Sequence, residues 1–313
     1  MNCVKFSVFA DLHYRDGDWN WASQRLEAIL RRAETEHVDF IMHCGDFCHN
    51  IVTATPIIDR YNRFPIPAFH TLGNHDFEET DGLQIVLDAY RMKKNYYSFD
   101  LNGIRMISLD TNYYLKAGNP AHFADSDFYT KCHQGEMILP PEELEFLHDA
   151  VVNAPGPCVI FSHASAIRAD GLSNRLAVRQ LLASARNGRP VLWINGHYHR
   201  NNLQLCDNIA WFDLNSTTSD WVTVPHHAYP PELMGKFECS EHELLFTEPV
   251  HALVTVNEDG EIRIDGMEGG MYQGITREMT GNSAFDSAGL PCDASVLSAH
   301  FRLLDQPSGN QCV

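Results

Sequence analysis

The chain of 313 residues carries 23 Lys plus Arg against 41 Asp plus Glu, a formal charge of −18, with 44% apolar and 20% charged residues. That mix is ordinary for a globular protein and excludes collagen, coiled coil and overall disorder, while the acidic balance disfavours a generic binder of nucleic-acid backbones. No stretch approaches the ~20 apolar residues of a membrane span, and MNCVKFSVFA runs straight into Asp11 without the apolar core of an export signal. Nine scattered Cys with no CxxC pair fit a reducing compartment better than a disulfide framework. The expectation is a cytoplasmic protein with no membrane partner.

Val4 to Ala10 alternates and is rich in β-branched and aromatic residues, which predicts a buried strand ending at Asp11. Trp21 to Glu36 has helical spacing through Leu26, Ile29, Leu30 and Ala33. Asp39 to His43 predicts a second strand, ending at Gly45-Asp46, and Thr55 to Phe64 a short helix with Pro56 in its first turn. Ala68 to Leu72 predicts a third strand, ending at Gly73-Asn74-His75-Asp76. Gly82 to Met92 is helical, and Tyr96 to Phe99 with Ile104 to Leu109 reads as a hairpin about Asn102-Gly103. Tyr113 to Ile138 lacks a clear period and is expected to be a lid or binding loop. Glu142 to Val152 predicts a helix, Cys158 to Ser162 a strand ending at His163, and Arg175 to Ala185 another helix. Pro190 to Asn195 predicts a strand ending at Gly196-His197-Tyr198-His199. Leu203 to Cys206, Ile209 to Leu214, Ala252 to Val256 and Ile262 to Ile264 read as hairpin strands, and Asn215 to Pro249 is a second long loop. From Gly269 the chain is rich in Gly, Ser and Asp. Residues 269–313 are therefore set apart as an extension, with an extended arm, a partner-dependent segment and disorder all open. The alternation of strands and helices argues an α/β layered fold.

Five predicted strands thus end in polar residues of one chemical kind, and in α/β sheets ligands gather outside the carboxyl ends of strands. Asp11, His13, Asp46, Asn74, His163, His197 and His199 are candidate metal ligands, with His75 left over. Imidazole and carboxylate together suit Zn, Fe or Mn better than Mg or Ca. Seven ligands are too many for one ion and the right number for two ions that share a carboxylate. Each block taken singly is an ordinary turn or surface histidine; the five in this order are not.

Asp11-x-His13, Gly45-Asp46, Gly73-Asn74-His75-Asp76, His163 and Gly196-His197-x-His199 together resemble the five-block signature of the calcineurin-like metallophosphoesterase family. Tyr96 to Asn112 resembles the central hairpin of its cyclic-nucleotide phosphodiesterase and purple-acid-phosphatase-like branch. The resemblance covers roughly residues 4–214 and implies a four-layer αββα sandwich, two mixed β-sheets face to face, with a dinuclear metal site at the strand C-terminal ends; residues 1–268 are read as the metallophosphoesterase domain. It implies two transition-metal cofactor ions (Mn, Fe or Zn), one held by Asp11, His13, Asp46 and His199, the other by Asp46, Asn74, His163 and His197. Asp46 would bridge them, and a bridging hydroxide would attack phosphorus. His75 would be the catalytic histidine, with Asp76 orienting its ring.

Two departures bear on substrate. Leu72 precedes Gly73 and Phe47-Cys48-His49-Asn50 follows Asp46, so the arginine clamp of the protein-phosphatase branch is absent. No Tyr stands three residues after Asp46, which disfavours a purple acid phosphatase. The expected partner is therefore a small phosphodiester or nucleotide-like substrate. A phosphomonoesterase, a DNA nuclease of the same superfamily and a non-catalytic scaffold are the alternatives, and a homo-oligomer stays open. Asn112 is expected to cap the turn after Asp110, Tyr198 to face away from the metals, and His122 and His133 to be loop histidines within occasional reach of substrate.

Overall fold

The computed structural model describes residues 2–18, 20–80, 82–125, 137–234 and 240–303; His133 lies outside the described residues. In chain order the first elements are β1 (Cys3–Phe9), α1 (Ala22–Thr35), β2 (Phe40–Cys44), α2 (Thr55–Asn62), β3 (Ala68–Thr71), α3 (Leu83–Ala89), β4 (Tyr97–Leu101), β5 (Ile104–Ser108), β6 (Tyr113–Lys116) and β7 (Asn119–His122). They are followed by α4 (Pro141–Val152), β8 (Cys158–Ser162), α5 (Arg175–Ala185), β9 (Val191–Asn195), β10 (Asn202–Cys206) and β11 (Ile209–Asp213). The last are β12 (Ser219–Trp221), β13 (Glu243–Leu245), β14 (Ala252–Asn257), β15 (Glu261–Asp265) and β16 (Ala299–Arg302).

Two six-stranded mixed sheets result, ordered β16-β15-β14-β1-β2-β3 and β10-β11-β9-β8-β5-β4. In the first, β1, β2 and β3 run parallel; in the second, β5, β8, β9 and β11 do. The period of two decides which side chains go where. Val4, Phe6 and Val8 enter an apolar layer with Met42, Met106 and Phe161, and the Phe6 and Phe161 rings from opposite sheets meet edge-on at 5.6 Å. Phe9 and Ile41 point the other way, onto Leu26, Ile29 and Tyr61 of α1 and α2, as Ile160 and Trp193 point onto Leu147 and Leu182 of α4 and α5. Helix, sheet, sheet, helix is the four-layer sandwich expected.

The Asn102-Gly103 turn forms with both residues left-handed (φ 49° and 80°), the backbone that a two-residue hairpin demands. α3 is shorter than its periodicity, ending at Ala89, because Arg91 takes φ 56° and cannot continue a helix. The region expected as the first long loop begins with a β6–β7 hairpin turning at Ala117-Gly118; its four-residue strands are too short to show alternation. The second long loop likewise holds the β12–β13 pair. Beyond Gly269 the described residues return across the sandwich and end in β16, paired with β15. Cys3, Cys44, Cys48, Cys158 and Cys292 are free thiols, and Cys206 is disulfide-bonded. Among the described residues no helix is long and apolar enough to cross a membrane.

Candidate metal centre

All seven expected ligands converge at one edge of the sandwich. Asp46, just past β2, accepts the backbone N–H of His75 on Oδ1 at 2.7 Å. Its Oδ2 lies 3.0 Å from His163 Nε2 and 3.9 Å from His13 Nε2, between the two predicted ligand sets. Asp11 Oδ1 lies 3.5 Å from His199 Nε2 and 3.8 Å from His13 Nε2. Asn74 Oδ1 is 3.1 Å from His163 Nε2. Donor atoms of Asp11, His13 and His199 fall within 4.8 Å of one another, as do those of Asp46, His163 and His197.

Backbone geometry makes this convergence. Asp11, His13, Asp46, His197 and His199 take φ of 55°, 49°, 59°, 74° and 52°, in the left-handed region that side chains other than glycine avoid. Such strain at one sheet edge marks a functional constraint. Gly45 and Gly73 permit the close approach: a Cβ on Gly45 would sit 2.3 Å from His163 Nδ1, and one on Gly73 2.2 Å from both the N and Oδ1 of Asp46.

Hydrogen bonds fix which imidazole nitrogen faces inward. His163 Nδ1 lies 2.9 Å from the Cys44 carbonyl and His199 Nδ1 2.7 Å from the Ser219 carbonyl, so each donates there and leaves Nε2 with a lone pair. His199 Nε2 then stands 3.1 Å from His13 Nε2, and His163 Nε2 3.3 Å from His197 Nδ1. Ring nitrogens facing each other at these distances are placed to share a cation, and outer ring nitrogens given to carbonyls are how metal-binding histidines are oriented. The residues present therefore fit two transition-metal ions. Burial alone would lower His163, but Asp46 overrides it and lifts the imidazole to about 9. Asp46 acts on His197 in the same sense, but burial, with His163 adding to it, outweighs it and takes His197 down to about 3.

His75 and Asp76 part company. Asp76 was expected to orient His75, yet its Oδ1 accepts Phe47 N at 2.9 Å and Tyr90 Oη at 2.6 Å, and its Oδ2 accepts Gly73 N at 2.8 Å. It locks the turn that carries the block, and burial, with Asp46 nearby, raises its carboxyl to about 7. The carboxylate on His75 Nδ1 is Glu78, at 2.7 Å. Glu78 also bonds His49 Nδ1, and His49 Nε2 lies 3.0 Å from His13 Nδ1. Despite its partial burial, Glu78 is held ionised by these two imidazoles, so it only accepts. His49 must then donate from Nδ1 and accept on Nε2, His13 must donate from Nδ1, and the His13 Nε2 lone pair is left facing the centre. Sequence reasoning missed both residues; the signals were His49 three after Asp46 and Glu78 three after His75.

A cavity of about 560 Å³ opens over His13, Asp46, His75, His197 and His199. Its remaining lining includes Tyr198, Arg200 and Trp221, and also Arg277, Phe285 and Asp286 from the C-terminal stretch. Tyr198 lines the cavity with the Arg168 guanidinium 4.3 Å over its ring, while its Oη turns to Ser165 N and the Asp170 carbonyl, each at 3.4 Å. Asn112 is structural, donating to the Leu72 carbonyl at 2.9 Å and to Asp110 Oδ1 at 2.8 Å. His122 is buried on Asp110 Oδ2 at 2.9 Å.

The fold is shared with solved structures of other proteins. A dimetal phosphatase from Danio rerio is 14% identical with a TM-score of 0.60, covering 87% of this chain and 99% of that one. GAP50, the anchor in the inner membrane complex of Plasmodium, is 12% identical with a TM-score of 0.52, covering 85% and 84%. No curated protein matches the chain in sequence. A family model described as calcineurin-like phosphoesterase matches residues 4–201. That span takes in β1 through β9 and every strand end from Asp11 to His199, and with it the kinship is settled: the chain belongs to the calcineurin-like phosphoesterase family.

Proposed function

We propose that the chain is a two-metal hydrolase of small phosphodiesters, with residues 1–268 as its catalytic domain and 269–313 as an extension whose Arg277, Phe285 and Asp286 line the pocket. The observation that carries the reading is the pair of donor clusters, Asp11–His13–His199 and Asp46–His163–His197, side by side about Asp46. Asn74, beside His163, completes the second set. When bound, the two cations would supply Lewis acidity toward the phosphoryl oxygens and make a water molecule more acidic.

The chain's own residues do the rest. His75 lines the cavity, and although burial opposes it, Asp46 and Glu78 raise its basicity. Held at Nδ1 by Glu78, it would give a proton from Nε2 to the leaving oxygen. The fold alone does not imply catalysis, since a scaffold can be built on it; the complete ligand set and the retained His75 favour an enzyme. Leu72 before Gly73, and no arginine directly after Asp46, favour a singly charged diester over a monoester dianion. The charge of −18 favours a small substrate over nucleic acid.

The test is turnover of an aryl monoester and an aryl diester after loading with Mn, Zn or Fe. Diester hydrolysis with the higher kcat/KM, lost in His75→Ala with metal content retained, is the expected result. Monoester preference overturns the diester reading, and no turnover with any metal overturns the enzyme reading.

A further inference from the structure

The C-terminal stretch is fastened to the metal-binding edge by a network of largely buried charges. Asp220 Oδ1 accepts Arg200 Nη1 at 2.7 Å, and its Oδ2 accepts Arg277 Nη1. Asp286 Oδ2 accepts Arg200 Nε at 3.2 Å and Arg168 Nη2 at 3.1 Å. Asp286 Oδ1 meanwhile takes Ala288 N at 2.9 Å and Leu290 N at 2.8 Å, which fixes the turn beside it. Arg200 follows His199 directly, so the turn is registered against the site to within one residue.

What this pinned turn presents to the cavity is aromatic. Phe285 is 55% exposed and Trp221 41% exposed, and both line the cavity over the histidines. Trp221 lies parallel to His242, with ring centroids 5.9 Å apart at 11°. Large exposed apolar side chains inside a polar pocket are binding surface waiting for a flat apolar group. The two guanidiniums in the lining are each matched by Asp220 or Asp286, so the wall attracts a second phosphate weakly. We propose that Trp221 and Phe285 are specificity-determining residues that take up a planar aromatic group, such as a nucleobase, carried by a substrate with a single phosphodiester.

This inference rests on the phosphodiesterase reading above, and the experiment separates the two. Thymidine 5′-(4-nitrophenyl phosphate) and methyl 4-nitrophenyl phosphate share charge and leaving group and differ in the group that stays on phosphorus. In the metal-loaded full chain the nucleoside ester is expected to have a KM lower by about tenfold or more, the size of one base–aromatic stack. Phe285→Ala and Trp221→Ala should each bring the two KM values together. Met279→Ala, an exposed neighbour on the same stretch at 68%, should keep them apart. Equal KM values in the unaltered protein, or a preference that survives both substitutions, overturn the assignment. If neither ester is hydrolysed the enzyme reading fails, and binding still decides: thymidine monophosphate should quench tryptophan fluorescence in the unaltered chain and not in Trp221→Phe. No quench, or an equal quench in that variant, overturns it. Tighter binding of the diphosphate than of the monophosphate would overturn the single-phosphate part.

Discussion

At the floor of the cavity Asp46 is gripped by backbone, with the His75 N–H on one oxygen and Gly73 packed where no Cβ fits. At its wall Asp220 and Asp286 grip the arginine side chains Arg200, Arg277 and Arg168, with backbone serving only to fix the second oxygen of Asp286. The floor is assembled from residues adjacent to parallel strands, so the sheets that set the strands set the site. The wall joins segments 57 and 86 residues apart through guanidinium–carboxylate contacts. A site built this way separates chemistry from selection: the wall can change while the floor keeps its geometry.

The sharpest test of that separation is Asp220→Ala. It strips a carboxylate from two buried guanidiniums, a loss of about 3–5 kcal/mol for a broken buried pair. Proteolysis between residues 275 and 292 should accelerate while the metal stoichiometry, measured by mass spectrometry, stays at the unaltered value. Metal loss alongside would mean floor and wall are one unit. Gly73→Ala probes the other side. Its Cβ must displace Asp46 N and Oδ1, an overpacking cost of about 1–3 kcal/mol, and here metal content should fall while resistance of residues 275–292 to protease persists.

How each region reads in the sequence follows from the same physics. Asp11-x-His13, Gly45-Asp46 and Gly196-His197-x-His199 are legible because strand end, turn and ligand lie within four residues, so local pattern and function coincide. The same compactness misled at Asp76: a carboxylate one residue from His75 reads as its partner, but the turn places it on Gly73 N and Phe47 N instead. Glu78, one helical turn on, has the reach Asp76 lacks. The wall left no such trace. Arg200, Asp220, Arg277 and Asp286 have no period and no motif, and their pairing exists only once the stretch beyond Gly269 has crossed the sandwich.

A smaller effect is expected from Glu78→Ala. Both imidazoles donate to the same Glu78 oxygen, Oε2, and alanine removes it, so His49 and His75 are each released to switch tautomer. If His49 switches, the His13 orientation is lost and metal affinity falls by about 10–100-fold, the usual scale for a residue behind a ligand. If His75 switches, turnover falls with metal retained. Nitrogen NMR of labelled histidine tells which. Unchanged tautomers in both rings would remove Glu78 from the account of the floor.

The smallest predicted effect asks whether the floor rests on backbone all the way down. Behind Gly73, the Leu72 carbonyl is held by Asn112, Asn112 by Asp110 Oδ1, and the Asp110 N–H donates to Glu143 Oε2 at 2.8 Å. Burial, with Asp110 adding to it, raises the Glu143 carboxyl well above its ordinary 4.5. A carboxyl raised on folding contributes stability that is fully present below the unfolded value and is lost as pH rises through the folded one. Glu143→Gln keeps an oxygen for Asp110 N and cannot ionise. The two proteins should therefore have equal urea midpoints near pH 4, with the glutamine protein pulling ahead as pH increases, by on the order of 1 kcal/mol, the scale of one buried polar contact. A gap that opens toward acid instead would mean Glu143 is ionised in the fold and paired. The back of the floor would then be held by charge, as the wall is, and the contrast between the two regions would stop at Leu72.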